Sequence, residues 1–395
     1  MVRPSRRGRA VVIVDLFAGP GGWDTAAAGL GLDVVGVELD PGAISTRIAA
    51  GHSTIRGDLL EMAPRPSRAL IASPPCPAFS AAGKKRGVTD IPELVAMLTE
   101  ARWTTDRPWN DPSSELIVRT AQWAHLAEEW VALEQVPAVL PAWEAIASGL
   151  IAAGWASAWA GVLNCADYGV PQTRKRAFML AHRTNIVTAP PATHAKVPGM
   201  FDEPWVTMAD ALSWPQGHVG FGRKYDGRGE QIDGKRARDY RPTGQPAHAL
   251  TEKARSWTLT PGSWADGRGG NRRTYDDTEP APTLAFGNDY GAWQWTLNTG
   301  RDWKPGGTRD DAQKLPPTVP APTVTGLSGG QWIFGDITEP IKMEPWQAGV
   351  LQSFPADYPW QGSRTAQFKQ IGNAVPPLMA DHILRAVQPD ERNQQ

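Results

Sequence analysis

Short apolar runs alternate with stretches of helical periodicity over the chain up to about residue 185. The apolar runs predict buried strands at 11–17, 34–38, 68–72, 130–136, 155–163 and 176–181. The other stretches predict helices at 22–30, 41–50, 115–128 and 143–153, and a last helix at 377–387. Alternation of this kind is typical of a parallel α/β sheet with crossover helices.

The pattern changes after about residue 185, where Pro, Gly, Trp, Thr and Asp dominate and helical periodicity fades. A Pro-Ala sequence recurs near 246, 280 and 320, and each copy is followed by a tryptophan: Trp257, Trp293 and Trp332. The spacing drifts, which favours short hairpins over a solenoid. We therefore predict a first domain at 1–190, a smaller β- and loop-rich domain at 191–339, and a C-terminal segment at 340–395 that returns to the first domain.

Composition restricts the class of protein. Hydrophobic residues make up 41% of the 395 residues, which indicates a globular chain. No apolar stretch approaches the ~18 residues of a membrane span, and the basic N-terminus is not followed by a secretory apolar region. Two cysteines and few histidines argue against a disulfide framework and a metal site. The sequence therefore predicts a soluble cytoplasmic protein with no membrane partner and no metal.

The net charge of −1 argues against a general polyanion binder. Basic residues are nevertheless concentrated at 84–86 and again at 223–241. Such runs are more often solvated surface, so nucleic-acid binding stays open at this point.

A glycine-rich turn, Asp15–Trp23, follows the first predicted strand. Glycines there let the backbone approach a ligand, and the carboxylate of Glu38 at the end of the next strand suits the two hydroxyls of a ribose. Asp58 closes a third segment and can accept a hydrogen bond from an adenine amino group. The pattern indicates a nucleoside-containing cofactor, with a tight helix-packing turn as the alternative.

Prolines surround one of the two cysteines in the segment Ser73–Ser80. A lone cysteine inside a cell is usually a small buried apolar side chain. Prolines at the ligand edge of a sheet hold Cys76 on a rigid turn, which favours the role of nucleophile. Because the thiolate is the reactive form, we expect cationic groups near it.

Three further polar segments are candidates for the same edge. Glu134 ends another apolar strand, and Tyr168–Arg176 places three cations after a rigid turn, where they can hold a phosphate or a polar base edge. Gln370–Pro377 reads as a polar turn before the last helix.

In their order and identity these segments resemble the motifs of the DNA (cytosine-5) methyltransferases. Asp15–Gly22, Glu38 and Asp58 resemble the S-adenosylmethionine motifs, and Pro75–Ser80 the catalytic Pro-Cys motif. The remaining matches are Glu134, Gln172–Arg176, Val350–Pro355 and Gly372–Pro377. The resemblance covers about 10–185 and 340–390. Two positions depart from it: Gln135 replaces the usual Asn, and Leu39 stands where an aromatic residue often packs on adenine.

The resemblance implies a Rossmann-like, mostly parallel sheet with the S-adenosylmethionine-dependent methyltransferase fold. It implies that 1–190 binds cofactor and catalyses, and that 191–339 recognises the target. The catalytic residues would be Cys76, Glu134, Arg174 and Arg176, with Cys76 adding to C6 of a flipped-out cytosine before its C5 is methylated. Segment 80–87 would be a mobile lid over that base. S-adenosylmethionine, which leaves as S-adenosylhomocysteine, would contact Phe17, Ala18, Gly19, Gly21, Gly22, Glu38, Leu39, Asp58, Leu59, Pro75 and Asn373. The substrate would contact Phe79, Ser80 and Gln172.

The expected partner is double-stranded DNA, and the expected form is a monomeric modification enzyme of bacterial or phage type, with a companion restriction endonuclease possible. Three alternatives stay open: an amino-methyltransferase, an RNA cytosine-5 methyltransferase, and an inactive DNA-binding relative. The first needs an aromatic residue after Ser73-Pro74-Pro75, where this chain has Cys76. The second has a shorter recognition region, and joint retention of Cys76, Glu134 and Arg176 speaks against the third.

Overall fold

The computed structural model describes residues 12–76, 78–79, 86–100, 108–213 and 341–388, with short segments at 217–220, 240–242, 246–248, 250, 258–261, 295–299, 313–315 and 333–334. The chain divides into two compact units. Unit 1 comprises Met1–Trp214, Gln245–Arg255 and Glu344–Gln395, and unit 2 comprises Pro215–Gly244 and Ser256–Met343.

The strands follow one another along the described chain as β1 (Ile13–Leu16), β2 (Val34–Glu38), β3 (Thr54–Arg56), β4 (Ser67–Ala72), β5 (Ala127–Gln135), β6 (Ser157–Asn164), β7 (Gln172–Thr173), β8 (Lys175–His182), β9 (His194–Ala195), β10 (Glu203–Pro204), β11 (Gly217–Gly220), β12 (Tyr240–Pro242), β13 (Ala247–His248), β14 (Thr258–Pro261), β15 (Trp295–Thr299), β16 (Gln313–Leu315), β17 (Ile333–Phe334) and β18 (Ile341–Lys342). The helices are α1 (Gly22–Gly29), α2 (Pro41–Ala49), α3 (Ile91–Thr99), α4 (Ser114–His125), α5 (Leu140–Ala152), α6 (Met208–Leu212), α7 (Pro345–Leu351), α8 (Arg364–Asn373) and α9 (Pro377–Val387).

Seven strands of the described part of unit 1 form one sheet, in the order β3-β2-β1-β4-β5-β8-β6. The pairs from β3 to β5 are parallel, whereas β8 runs antiparallel to both of its neighbours. The predicted α/β sheet is therefore confirmed as mostly parallel. The antiparallel strand arises because β6 and β8 are joined by a short connection rather than by a crossover helix.

Alternate residues of the central strands enter two apolar clusters, one on each face of the sheet. Leu70 packs in the cluster that contains residues of α3, α4 and α5, and the next residue, Ile71, packs in the cluster that contains residues of α1 and α9. This two-sided burial explains why β4 and β5 read as nearly continuous apolar runs.

Several predicted bounds need correction. The helix expected at 115–128 ends at His125, because Ala127 already pairs with β4 at the start of β5. The first strand ends at Leu16, since Phe17 has a left-handed φ of 59°. The sequence did not predict β3 or α3; β3 has three residues, all at least partly exposed, and so has no apolar run.

The strands described in unit 2 pair antiparallel. Strand β11 lies between β12 and β14, β14 also pairs with β18, and β15 pairs with both β16 and β17. These short strands agree with the expected β-rich composition. The three tryptophans of the Pro-Ala repeat, Trp257, Trp293 and Trp332, lie outside the described residues.

The C-terminal segment packs on the first part of unit 1. Helix α9 packs on α1, and Thr46 of α2 donates a 2.6 Å hydrogen bond from its hydroxyl to Gln370 Oε1. Tyr358 donates a 2.6 Å hydrogen bond to the carbonyl of Pro20. Gln370 to Asn373 were predicted as part of a polar turn, but they form the last turn of α8. The side chain of Ser363 caps the N-terminus of this helix. Within the described residues, no helix combines the length and apolar character needed to cross a membrane.

Candidate active site

A cavity of about 410 Å³ opens at the carboxyl ends of the central parallel strands, within unit 1. This size falls in the range of small-molecule sites, ~300–1,000 Å³. The edge is the one where open α/β sheets bind ligands. The predicted site residues that line the cavity are Phe17, Gly19, Glu38, Leu39, Asp58, Leu59, Pro75, Cys76, Glu134, Arg174, Arg176 and Asn373.

The turn between β1 and α1 forms one wall. Phe17, Gly19 and Gly21 all have positive φ, of 59°, 55° and 104°. A Cβ on Gly19 would meet only the carbonyl of Phe17, at 4.0 Å, so the space beside it is open to a ligand. Gly22 serves packing instead, since a Cβ there would lie 2.0 Å from the carbonyl oxygen of Val375.

Glu38 reaches the cavity from the end of β2. Its Oε2 accepts a 2.7 Å hydrogen bond from the amide of Gly19. Its Oε1 accepts from the amides of Leu39 and Asp40, at 2.8 and 2.7 Å. Three backbone donors thus fix the carboxylate, and an ionised carboxylate still has lone pairs for further donors.

Leu39 and Asp58 lie nearby. Leu39 is 52% exposed, unusually high for a leucine, and its side chain gives the cavity an apolar surface. Asp58 accepts a 2.9 Å hydrogen bond from the amide of Leu60 through Oδ1. An apolar surface between two carboxylates suits a nucleoside, because the base can pack on the surface while its ribose and amino group donate to the carboxylates.

Cys76 lines the same cavity and lies on the proline segment that follows β4. Gln135, fully buried, donates a 2.7 Å hydrogen bond to the carbonyl of Pro74 and accepts one of 2.7 Å from the amide of Val136. Gln135 thereby ties the end of β5 to the proline segment that carries Cys76. The longer side chain in place of the usual Asn is accommodated with both of its polar atoms bonded.

Glu134 and Arg176 form an ion pair of 3.0 Å between Oε1 and Nε, with side chains 7% and 13% exposed. The strand register explains it. Glu134 lies opposite Phe178, so Arg176, two residues away on β8, is its diagonal neighbour on the same face. The sequence placed both residues at the site but did not show that they pair.

The thiol of Cys76 has a raised pKa. Burial is the largest cause; Arg176 and Arg174 oppose it, and the Glu134 carboxylate adds to it. The expected cations are therefore present, but they do not outweigh burial and the adjacent carboxylate. In this state of the protein the thiol is protonated at neutral pH.

Arg174 is almost fully buried. Burial and the repulsion of Arg176 lower its pKa to about 10, which leaves it charged at neutral pH. Its Nη1 donates a 2.8 Å hydrogen bond to the carbonyl of Gly372 in α8. Arg174 therefore connects the C-terminal segment to β8, the strand that carries Arg176.

Five predicted site residues lie away from the cavity lining. Ala18, Gly21 and Gly22 support the turn, and Phe79 packs in the apolar core at 2% exposure. Gln172 is fully buried; it donates to the side chain of Gln352 and accepts a 3.0 Å hydrogen bond from the amide of Leu250. Gln172 thus holds chain segments together. Ser80 and residues 81–85 of the expected lid lie outside the described residues.

The cavity also has lining residues that sequence reasoning missed. Lys369 projects from α8 and forms a 3.1 Å ion pair with Asp40, which caps α2. Burial opposes ionisation of Asp40, but hydrogen bonds from Lys369 and from the amides of Ala43 and Gly42 outweigh it and lower its pKa. Leu116 in α4 and Ser73 after β4 also line the cavity. Asp40, Leu116 and Lys369 belong to none of the sequence motifs.

A mostly parallel seven-stranded sheet with helices on both faces and a cavity at its carboxyl edge defines the fold of S-adenosylmethionine-dependent methyltransferases. The chain belongs to the C-5 cytosine-specific DNA methylase family, whose profile matches residues 11–100 and 128–389. This confirms the resemblance found in the motifs.

Relatives agree with the assignment. The chain is 25% identical over 461 residues to M.OihORF3336P of Oceanobacillus iheyensis, covering 95% of each protein. It is 24% identical to the type II methyltransferase M.AplI of Arthrospira platensis, covering 95% of this chain and 85% of the relative. The solved structure of the S. pombe Dnmt2 methyltransferase has a similar fold, with a TM-score of 0.52, 12% identity and coverage of 98% of this chain and 100% of that one.

Proposed function

We propose that the protein transfers a methyl group from S-adenosylmethionine to C5 of a flipped-out cytosine in a specific duplex DNA sequence, through a covalent bond from Cys76 to C6. One observation carries the proposal. A single cavity holds Cys76 beside the Glu134–Arg176 pair and, along the same sheet edge, the carboxylates of Glu38 and Asp58. A nucleophile, a polar base-binding pair and a nucleoside site are thus brought together.

The residues around the turn fit the cofactor. Glu38 would accept from the ribose hydroxyls, Asp58 from the adenine amino group, and Leu39 would pack on the adenine face, while Gly19 leaves open space beside the backbone. When bound, the cofactor supplies an electrophilic methyl group on a sulfonium. Asn373, at the end of α8, lines the same cavity and would close the site from the C-terminal segment.

C5 of cytosine is too weak a nucleophile to take a methyl group unaided. Cys76 solves this by forming a bond from its sulfur to C6. The electron pair of the C5–C6 double bond moves toward C4, and N3 takes the proton that Glu134 has accepted from the Cys76 thiol. After methylation, a solvent water takes the proton on C5, the C5–C6 double bond re-forms and the Cys76 sulfur departs as thiolate. Glu134 recovers its proton from N3.

The ion pair of Glu134 and Arg176 suits the polar edge of the base. Arg176 would donate to O2, and Glu134 would contact N3 and the exocyclic amine. Both side chains already face the cavity, so binding the base replaces one contact between them with contacts to the base. The duplex must release the base first, at a cost of a few kcal/mol.

Unit 2 would recognise the DNA sequence, and the enzyme would act as a monomer in the cytoplasm. Because relatives such as M.AplI are named type II methyltransferases, a companion restriction endonuclease is part of the proposal. Double-stranded DNA is the proposed substrate, and RNA the alternative.

Trapping on DNA that carries 5-fluorocytosine tests the covalent step. The C5–F bond cannot release its substituent as a proton does, so the Cys76–C6 bond persists. We expect an adduct with wild type and with Cys165→Ala, because Cys165 is fully buried with a pKa raised to about 12. Cys76→Ala should form none. Failure of wild type to form an adduct, while it still binds S-adenosylhomocysteine, would contradict the covalent mechanism.

A further inference from the structure

Beneath the cofactor turn lies a buried ion pair that the proposed chemistry does not use. Arg47 of α2 is fully buried and forms a forked pair with Asp24 of α1, with both N–O distances 2.7 Å. Its other hydrogen bonds go to Thr54 Oγ1 at 3.0 Å, the carbonyl of Ser53 at 3.2 Å and the carbonyl of Ala18 at 3.3 Å. The five N–H donors of this guanidinium are therefore all used.

The sheet is shaped to admit this side chain. A Cβ on Gly36, in the middle of β2, would lie 1.9 Å from Arg47 Nη2. Asp15, paired with Gly36 across β1 and β2, is fully buried nearby. Burial, and then the adjacent Asp24 carboxylate, raise the pKa of Asp15 well above its usual value.

A buried ion pair is weak evidence for stability. Apolar residues of similar volume are often equally or more stabilising, because desolvation of two charges is expensive. The contacts of the pair indicate a role beyond stability, because one of them reaches the turn between β1 and α1.

Arg47 Nη1 donates to the carbonyl of Ala18, and the amide of Gly19 donates to Glu38 Oε2 at 2.7 Å. These two groups belong to the same peptide unit. Arg47 and, at 3.2 Å, the amide of Gly21 both hold its oxygen, and Glu38 holds its N–H, so the plane of this peptide is fixed from both ends. This peptide joins Ala18 to Gly19. Gly19 and Phe17, the residue before Ala18, both have left-handed φ, and both line the cavity.

We propose that the Asp24–Arg47 pair is a positioning element for cofactor binding: it fixes the Ala18–Gly19 peptide and, through that peptide, the carboxylate of Glu38. Arg47 does not reach the cavity lining and acts only through these neighbours. The inference rests on the proposed use of S-adenosylmethionine.

Two substitutions separate positioning from stability. Arg47→Lys keeps the charge but has one nitrogen, which cannot hold Asp24 in a fork and reach Ala18 together. The double substitution Asp24→Leu with Arg47→Met replaces the pair with apolar side chains, a change that tends to preserve stability. The matched control is Arg68→Lys, in the exposed 2.8 Å pair of Arg68 and Glu129.

The measurements are the Kd of S-adenosylhomocysteine by calorimetry on the full chain, the Tm, and the Kd for duplex DNA without cofactor. We expect S-adenosylhomocysteine to bind at least tenfold more weakly to both Arg47 variants, with DNA affinity unchanged, and the double variant to keep the wild-type Tm. The control should match wild type in all three.

A double variant that folds and binds S-adenosylhomocysteine as wild type does would overturn the proposal. So would an Arg47→Lys variant whose Tm falls while its cofactor Kd stays unchanged, since that is the result of a purely structural pair. If wild type itself bound no S-adenosylhomocysteine, the proposed function would fail as well, and that outcome is separate from the other two.

Discussion

Cys76 shows how a side chain's surroundings decide its reactivity. The sequence led us to expect cations that favour the thiolate, and Arg174 and Arg176 are there. Their effect on the pKa is outweighed by burial and by Glu134. In the proposed mechanism the thiol would therefore lose its proton as the substrate binds or during attack, when the base would separate Glu134 from Arg176.

The raised pKa predicts how alkylation of Cys76 depends on pH in the free protein. For an acid whose pKa is raised, the reactive thiolate is scarce below that pKa and grows as pH rises. In a Cys165→Ala background we expect the iodoacetamide rate to keep rising, ~10-fold per pH unit, beyond about pH 8.5, the ordinary thiol value.

Arg176→Met should shift this profile to higher pH, because it removes a cation that lowers the pKa of Cys76. Mass spectrometry of the labelled peptide over time gives the rates. A plateau of the rate below about pH 8 would show that the cations dominate after all.

Several residues that the motifs predicted at the site line the cavity, among them Glu38, Cys76 and Glu134, and their roles stay predictions. Residues that reach the cavity only through the fold were not predicted. Lys369 pairs with Asp40 across 329 positions, and Arg47 contacts Ala18 across 29. No single-sequence pattern carries such a separation, because the contact depends on how helices pack. The same limit applies to Gln172, whose motif suggested substrate but whose bonds go to Gln352 and Leu250.

At the scale of elements, the two glycines of α1 differ in how much space a side chain would have. Gly22 begins the helix where a Cβ would lie 2.0 Å from the carbonyl of Val375, just before α9. Gly29 ends it with no atom within 4 Å of such a Cβ. The first glycine is required by a close approach of two segments, and the second is not.

We predict that Gly22→Ala destabilises the protein by about 1–3 kcal/mol through overpacking. Gly29→Ala, the matched change in the same helix, should be neutral or stabilising by up to about 1 kcal/mol, because alanine favours the helix. Urea unfolding followed by circular dichroism compares the two. Equal effects of the two substitutions on the free energy of unfolding would mean that the contact with Val375 does not govern the first position.

The long periodic elements of the fold were predictable from sequence, since burial on both faces makes continuous apolar runs. The direction of β8 was not, because an antiparallel and a parallel buried strand have the same apolar pattern. Gln370–Asn373 looked like a turn because they are polar, yet the Ser363 cap and contacts to Thr46 and Gln361 hold them in α8.

At the scale of the whole molecule, the chain has two compact units, and the cavity lies in one of them. Every residue that lines the cavity belongs to unit 1, including the part of the C-terminal segment in α8. Residues 245–255 also belong to unit 1, and Ala247 pairs with Gln172 of β7. If unit 2 recognises DNA as proposed, its exchange should therefore spare 245–255 and replace both Pro215–Gly244 and Ser256–Met343.

Bisulfite sequencing of DNA from cells that express the protein tests the central claim most directly. The account predicts protected cytosines at one recurring sequence with wild type and none with Cys76→Ala. A chain in which both segments of unit 2, Pro215–Gly244 and Ser256–Met343, come from another family member should protect a different sequence. Absence of protected cytosines at any recurring DNA sequence, with the protein folded and S-adenosylhomocysteine bound, would contradict the account.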